Sequence, residues 1–186
     1  MKNFFPLFLK QNEKAEPAKS SNVLEGFKAL EEASTILKTN SKDKDNNHLL
    51  RLFDKAIECG LKEGYSQRAF CLQALNYNYD AIADFDIAIS YKPYDPNLYF
   101  GRGISKKILM ISGDAIADLN KAVELAQQKN DLNAEYNLAI QKQGWNSLVE
   151  FYKHQLEDAK QREAYLENEI IKKAFIDKLG EQTRPH

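Results

Sequence analysis

Few residues in this chain have the types and spacing that chemistry needs. The three histidines, His48, His154 and His186, are scattered, and none has a second ligand at helical spacing. A metal site needs several such side chains brought to one point. Cys59 and Cys71 have neither redox nor zinc-ligand spacing, and each falls on a helical segment. They read as small buried hydrophobes in a reducing compartment. Gly101-Arg102-Gly103 looks like part of a phosphate loop, but it lies inside a helical pattern and lacks the Gly-Lys-Ser/Thr ending. Asp80 and Asp114 fall in the first turns of helices, where the helix dipole favours negative charge, so they read as structural. No nucleophile has a base at a recognisable spacing. The expectation is a protein that is not an enzyme and carries no metal or cofactor.

Composition narrows the class further. At 186 residues one domain with a real core is expected. An apolar share of 43% and a charged share of 28% are those of a soluble globular protein. A net charge of −1, with Lys and Arg interspersed among Asp and Glu, argues against nucleic acid as a partner. No run approaches the ~18 apolar residues of a membrane span. The amino-terminal arm, Met1 to Lys10, has an apolar run of six residues broken by Pro6 and closed by Lys10. A secretory signal needs about 7–15 apolar residues and a small-residue cleavage site. A cytoplasmic location is therefore expected.

The elements that position these residues repeat. Asp80-Ala81-Ile82-Ala83-Asp84-Phe85 returns 34 residues later as Asp114-Ala115-Ile116-Ala117-Asp118-Leu119. The same offset relates Tyr65 to Tyr99, Arg68 to Arg102, Ala69 to Gly103 and Ala88 to Ala122. A period near 34 with small residues at fixed places is the mark of stacked helix pairs. Asn46, Leu49, Phe53 and Ala56 anticipate Asn78, Ala81, Phe85 and Ala88 at an offset of 32. Asn46, Asn78, Ser112 and Asn146 are residue types favoured at helix N-caps, and all four are expected there. Asp95 with Pro96 predicts another helix start, following the turn at Pro93.

The polar run 11–21, with Pro17, reads as a flexible linker that tethers the Phe-rich arm. Two readings of the arm stand: it folds back on the repeats, or it docks on a second copy, a partner or a membrane surface. Val23, Phe27, Leu30, Ala33 and Leu37 predict a helix from Asn22, and the polar run Thr39 to Asn47 ends it. After Gln128 a helix over Leu132 to Lys142 is expected, then a long one from Asn146 to Gly180. Leu148, Tyr152, Leu156, Ala159, Leu166 and Ile170 form a stripe on it, interrupted by Glu163. It reads as a capping helix, with a coiled-coil seam between two chains as the alternative.

The runs Leu98-Tyr99-Phe100-Gly101-Arg102-Gly103 with Asp114 to Ala122, and Tyr65-Ser66-Gln67-Arg68-Ala69 with Ala81 to Ile89 and Pro93, resemble tetratricopeptide (TPR) repeats. The resemblance implies an all-α fold: a right-handed superhelix of antiparallel helix pairs with a long C-terminal capping helix. Residues 1–21 are then arm and linker, 22–145 the repeat array with its best copies at 62–95 and 96–129, and 146–180 a long helix ending a degenerate fourth repeat. The first helices of such repeats line a concave groove. Here the lining would include Ser66, Phe70, Gln73, Asn97, Phe100, Ile104 and Lys107, continued by Asp131, Ala134, Leu138 and Gln141. Phe70, Phe100, Ile104 and Leu138 would make the groove centre apolar, and an exposed apolar strip marks an interaction site. The opposing reading is that the long helix or the arm fills it. One subgroup of the family grips acidic chaperone tails through a cationic carboxylate clamp. The matching positions hold Ser66, Phe70, Gly101, Asp131 and Glu135, so that partner is not expected. The resemblance implies a scaffold or adaptor for a protein or peptide partner. Self-association through the long helix or the arm is the alternative.

Overall fold

The computed structural model describes residues 20–38, 45–128, 144 and 147–182. Among them are seven helices and no strand: α1 (Ser20–Lys38), α2 (Asn46–Glu58), α3 (Glu63–Ala74), α4 (Asn78–Tyr91), α5 (Pro96–Ile108), α6 (Ser112–Gln128) and α7 (Leu148–Gln182). Each helix packs on the next in sequence, and α3 also touches α5. The fold is thus all-α, built of repeated helix pairs α1/α2, α3/α4 and α5/α6. The arm, the linker up to residue 19 and the helix expected over 132–142 lie outside the described residues. Helix α1 takes in Ser20 and Ser21 from the expected linker.

The helix ends are set by local chemistry that repeats with the pairs. Asp95 accepts the backbone N–H of Asn97, and Pro96 opens α5 with its φ already helical. At the far ends of α3 and α5 the chain enters the left-handed region once, at Asn76 (φ 64°) and 34 residues on at Met110 (φ 64°). The amide of Tyr77 reaches back to the carbonyl of Leu72, and that of Ile111 to Lys106, closing the last turn. Gly60 (φ 87°) does the same after α2, with Leu61 N–H donating to Ala56. Three of the expected caps are corrected by this geometry. Asn46, Asn78 and Ser112 are the first residues inside their helices. Asp45 caps α2 instead, accepting from Asn47 and His48 at 3.0 and 3.1 Å. The tight turn at Asn76 carries Asn78 inward, where it is buried and donates to the Asn76 carbonyl. Ser147 caps α7, accepting from Glu150 N–H at 3.1 Å; Asn146 lies outside the described residues.

Small residues let the helices approach and large ones fill what remains. Ala56, Ala88 and Ala122 are fully buried at the same place in three second helices, as are Ala81 and Ala115. Phe53, Phe85 and Leu119 are the fillers, all buried. Gly101 leaves room for Phe85 across the pair boundary, since a Cβ there would overlap the Phe85 ring. A Cβ on Gly103 would meet Leu119 Cγ at 3.0 Å and the Ala115 carbonyl oxygen at 3.2 Å. Both cysteines are free and buried, and Cys71 Sγ donates to the Asn46 carbonyl at 3.4 Å.

Overpacking these contacts should be costly. Ala88→Leu or Ala122→Leu lowers unfolding stability by about 1–3 kcal/mol, whereas exposed Lys160→Ala stays within about 0.5. Met110→Gly removes a left-handed side-chain penalty and gains about 0.5–1 kcal/mol. Urea melts check all four, and equal shifts for the alanine and lysine variants would contradict the packing.

Candidate functional site

Two features stand out above the packed pairs: a repeated ion-pair bridge and the place taken by α7. Arg68 of α3 grips Asp84 of α4 with two N–H groups, Nε at 2.7 Å and Nη2 at 2.8 Å, and reaches back to Asp54 of α2 at 2.6 Å. Thirty-four residues on, Arg102 of α5 grips Asp118 of α6 at 2.9 and 2.6 Å and reaches back to Asp86 of α4 at 2.5 Å. Each arginine therefore joins its own pair to the preceding one. Tyr65 and Tyr99 lie under the guanidinium groups at 5.5 and 5.6 Å. Lys106 adds a second cation to Asp118 at 2.8 Å. The hydrogen bond to Asp84 leads in raising the pKa of Arg68, and burial only partly opposes it. Burial acts most strongly on Arg102, but the bonds to Asp118 and Asp86 outweigh it and the pKa again rises. The sequence signal was present: Arg68/Arg102 and Asp84/Asp118 recur together, 16 residues apart within each copy. What it lacked was the return bond to Asp54 or Asp86, which depends on stacking.

The sequence-derived groove residues divide between two environments. In α3, Ser66 is buried and donates to the Glu63 carbonyl at 3.0 Å. Phe70 packs edge-on against Phe85, ring centres 5.0 Å apart. Gln73 donates to the Gly101 carbonyl at 2.7 Å and to Ser105 Oγ at 2.8 Å, tying α3 to α5. In α5, Asn97, Phe100, Ile104 and Lys107 come together on one face, and α7 covers it. Tyr152, only 1% exposed, donates its hydroxyl to Asn97 Oδ1 at 2.7 Å. Its ring stacks on Phe100 at 4.3 Å with the planes 13° apart, and Phe151 flanks the pair at 5.4 Å. Ile104 packs on the same cluster. Lys107 Nζ donates to Gln155 and to Asp158, both at 2.9 Å. That bond holds the Asp158 carboxyl below its usual pKa. Leu138 and Gln141 lie outside the described residues, as do Asp131 and Ala134.

Where an outside ligand is expected from sequence, the chain's own last helix is found. The contacts run in step, Asn97 with Tyr152 and Lys107 with Asp158, so α7 lies parallel to α5. Leu148, Tyr152, Leu156 and Ala159 bury against Leu119, Ala122, Val123 and Ala126 of α6. Helix α7 thus packs on α6 much as α5 packs on α4. The Glu163 that interrupts the stripe is half-buried, within reach of Gly113.

Beyond Leu166 the helix leaves this packing. Ile170, Ile171, Phe175 and Ile176 are between 63% and 68% exposed. No group of three or more potential metal ligands occurs among the described residues, and no described helix is long and apolar enough to cross a membrane.

Removing one partner from the buried end of a bridge should cost far more than removing the exposed one. Asp118 has a side chain 7% exposed and is the buried partner shared by Arg102 and Lys106, so Asp118→Ala costs about 2–4 kcal/mol. Asp86, 57% exposed, costs less than about 1 kcal/mol when truncated. Phe100→Ala loses a stacked ring at the α5–α7 contact and costs about 2–4 kcal/mol. Denaturant melts give all three, and a Phe100→Ala variant as stable as the wild type would free that face for a ligand.

No protein-family model matches the chain, and no curated protein matches it.

Proposed function

We propose that this chain is a non-catalytic protein-interaction scaffold of the TPR type. In this reading the helix pairs coil into a right-handed superhelix, and the first half of α7 closes its C-terminal end. The second half of α7 is the surface that takes a partner chain. One observation carries the reading: Ile170, Ile171, Phe175 and Ile176 are about two-thirds exposed on a helix that continues past its own packing. From Glu167 to Gln182 the helix extends for roughly 24 Å at 1.5 Å per residue. Large apolar side chains exposed together mark a contact surface. Full burial of one such side chain contributes about 1.5–3 kcal/mol, so four of them can offset much of the cost of association. The groove around Phe100 is filled by α7, which supports docking through the projecting helix over peptide capture at that place. A second reading places a peptide farther up the array, on α1, where Leu24 and Phe27 are more than half exposed.

The test uses the full chain carrying Ile171→Glu with Phe175→Glu. Cross-linking in cell extract and light scattering of the pure protein should show that the variant loses association with every partner, itself included. Its melting curve should move by no more than about 0.5 kcal/mol per substitution, because both sites are exposed. A variant that keeps all of its partners would place the binding surface elsewhere, with α1 next in line.

A further inference from the structure

We propose that the occupant of the distal half of α7 is a second copy of this chain, docked antiparallel about a two-fold axis between Ile170 and Ile171. The inference rests on the reading that this half-helix is the docking surface.

The order of charges along the segment carries it. Between positions 163 and 178, Glu163, Glu167 and Glu169 precede the Ile170–Ile171 step, and Lys172, Lys173 and Lys178, with one acid, Asp177, follow it. Two such segments laid parallel set glutamate beside glutamate and lysine beside lysine, and like charges across an interface are repelled. Turned antiparallel about the isoleucine step, they bring Glu169 level with the partner copy's lysine at position 172. Leu166 then stands level with a copy of Phe175, and Tyr165 with a copy of Ile176. Tyr165, Leu166, Ile170, Ile171, Phe175 and Ile176 are thus matched in level across the axis. A two-fold contact of this kind is self-complementary, so one sequence supplies both sides.

Space favours the same arrangement. The packed part of α7 ends at Leu166, and the helix pairs lie on that side only. Antiparallel docking puts the two sets of helix pairs at opposite ends of the joined helices. Parallel docking would put them level with each other, competing for the same flank. The Glu169–Lys172 bond within α7, at 2.8 Å, is exposed and does not tie these groups down.

Sedimentation equilibrium on the full chain tests the proposal with charge swaps that leave the apolar residues in place. The wild type should be a dimer at micromolar concentration. Glu167→Lys with Glu169→Lys places lysines on both sides of the isoleucine step, and Lys172→Glu with Lys173→Glu places glutamates on both sides. Each half-swap should weaken the dimer by about tenfold or more, with helical circular dichroism and melting temperature unchanged. All four changes in one chain should restore the dimer, and mixing the two half-swapped proteins should give a heterodimer. High salt should shrink the difference between wild type and half-swaps. A monomeric wild type overturns the proposal, as do half-swaps that dimerise like the wild type or a fourfold swap no better than either half. If the wild type is monomeric yet captures another protein that the Ile171→Glu, Phe175→Glu variant loses, only the second-copy inference falls. A dimer that survives in that variant removes the docking surface itself.

Discussion

Each stacked pair of helices is locked to the one before it by an arginine that answers to two carboxylates on two different helices. Arg102 is held by Asp118 within its own pair and by Asp86 of the preceding pair, and Arg68 does the same with Asp84 and Asp54. The inner carboxylates, Asp84 and Asp118, are almost wholly buried. A buried carboxylate without its cation is strongly disfavoured, so the pairs can stack only in the register that delivers the guanidinium. The apolar core has a different part in the same result. Phe85 fits because Gly101 in the following helix has no side chain, and a slip of one helical turn would bring Ser105 or Asn97 there instead. Burial supplies most of the free energy, and the bridges select which stacking receives it.

Helix α7 carries two kinds of chemistry on one uninterrupted helix. Its first twelve residues are built as a first helix of the array, with Tyr152 the largest fully buried side chain among those described. They meet α5 through matched polar groups as well, Tyr152 on Asn97 and Lys107 on Asp158. This half therefore belongs to the folded core and is not a loosely held ligand. It protects an end of the array whose apolar surface, around Leu119 and Ala126, would otherwise face water. Among the described residues the later half meets no such surface. Because a helix transmits its direction through backbone hydrogen bonds, the anchored half fixes where the free half points. A partner that binds the free half is then held at a set distance and angle from the helix pairs.

The molecule spends its repeated geometry within itself. The groups that resemble chemistry, such as Asp84, Asp118, Arg68 and Arg102, are consumed in holding helices together. Cys71 hydrogen-bonds a carbonyl and its thiol pKa is raised by burial, which makes it a poor nucleophile at neutral pH. The three side chains that best suggest a groove ligand, Phe70, Phe100 and Ile104, are likewise engaged within the chain.

The amino-acid sequence alone determined the helices and their pairing. The 34-residue recurrence of Ala81 with Ala115 and of Ala88 with Ala122 reports close helix approach directly, because only small residues permit it. Asp95 and Pro96 marked a helix start through local bonding, and that too needs no tertiary contact. Caps were less legible: Asn78 has the right chemistry for one, but a backbone turn at Asn76 carried it into the interior. The groove was least legible. Sequence spacing assigns Phe100 and Ile104 to a face without saying what lies on it, since the residues that cover them, Phe151 and Tyr152, come some fifty positions later. The stripe on the last helix was equally readable from Leu148 to Ile170, yet its first part is buried and its end is not. Periodicity defines a face on a helix, but only the length of the neighbouring helix decides how far that face is covered. Helix α6 runs out near Gly113, and beyond that point Ile170, Ile171, Phe175 and Ile176 of α7 are exposed.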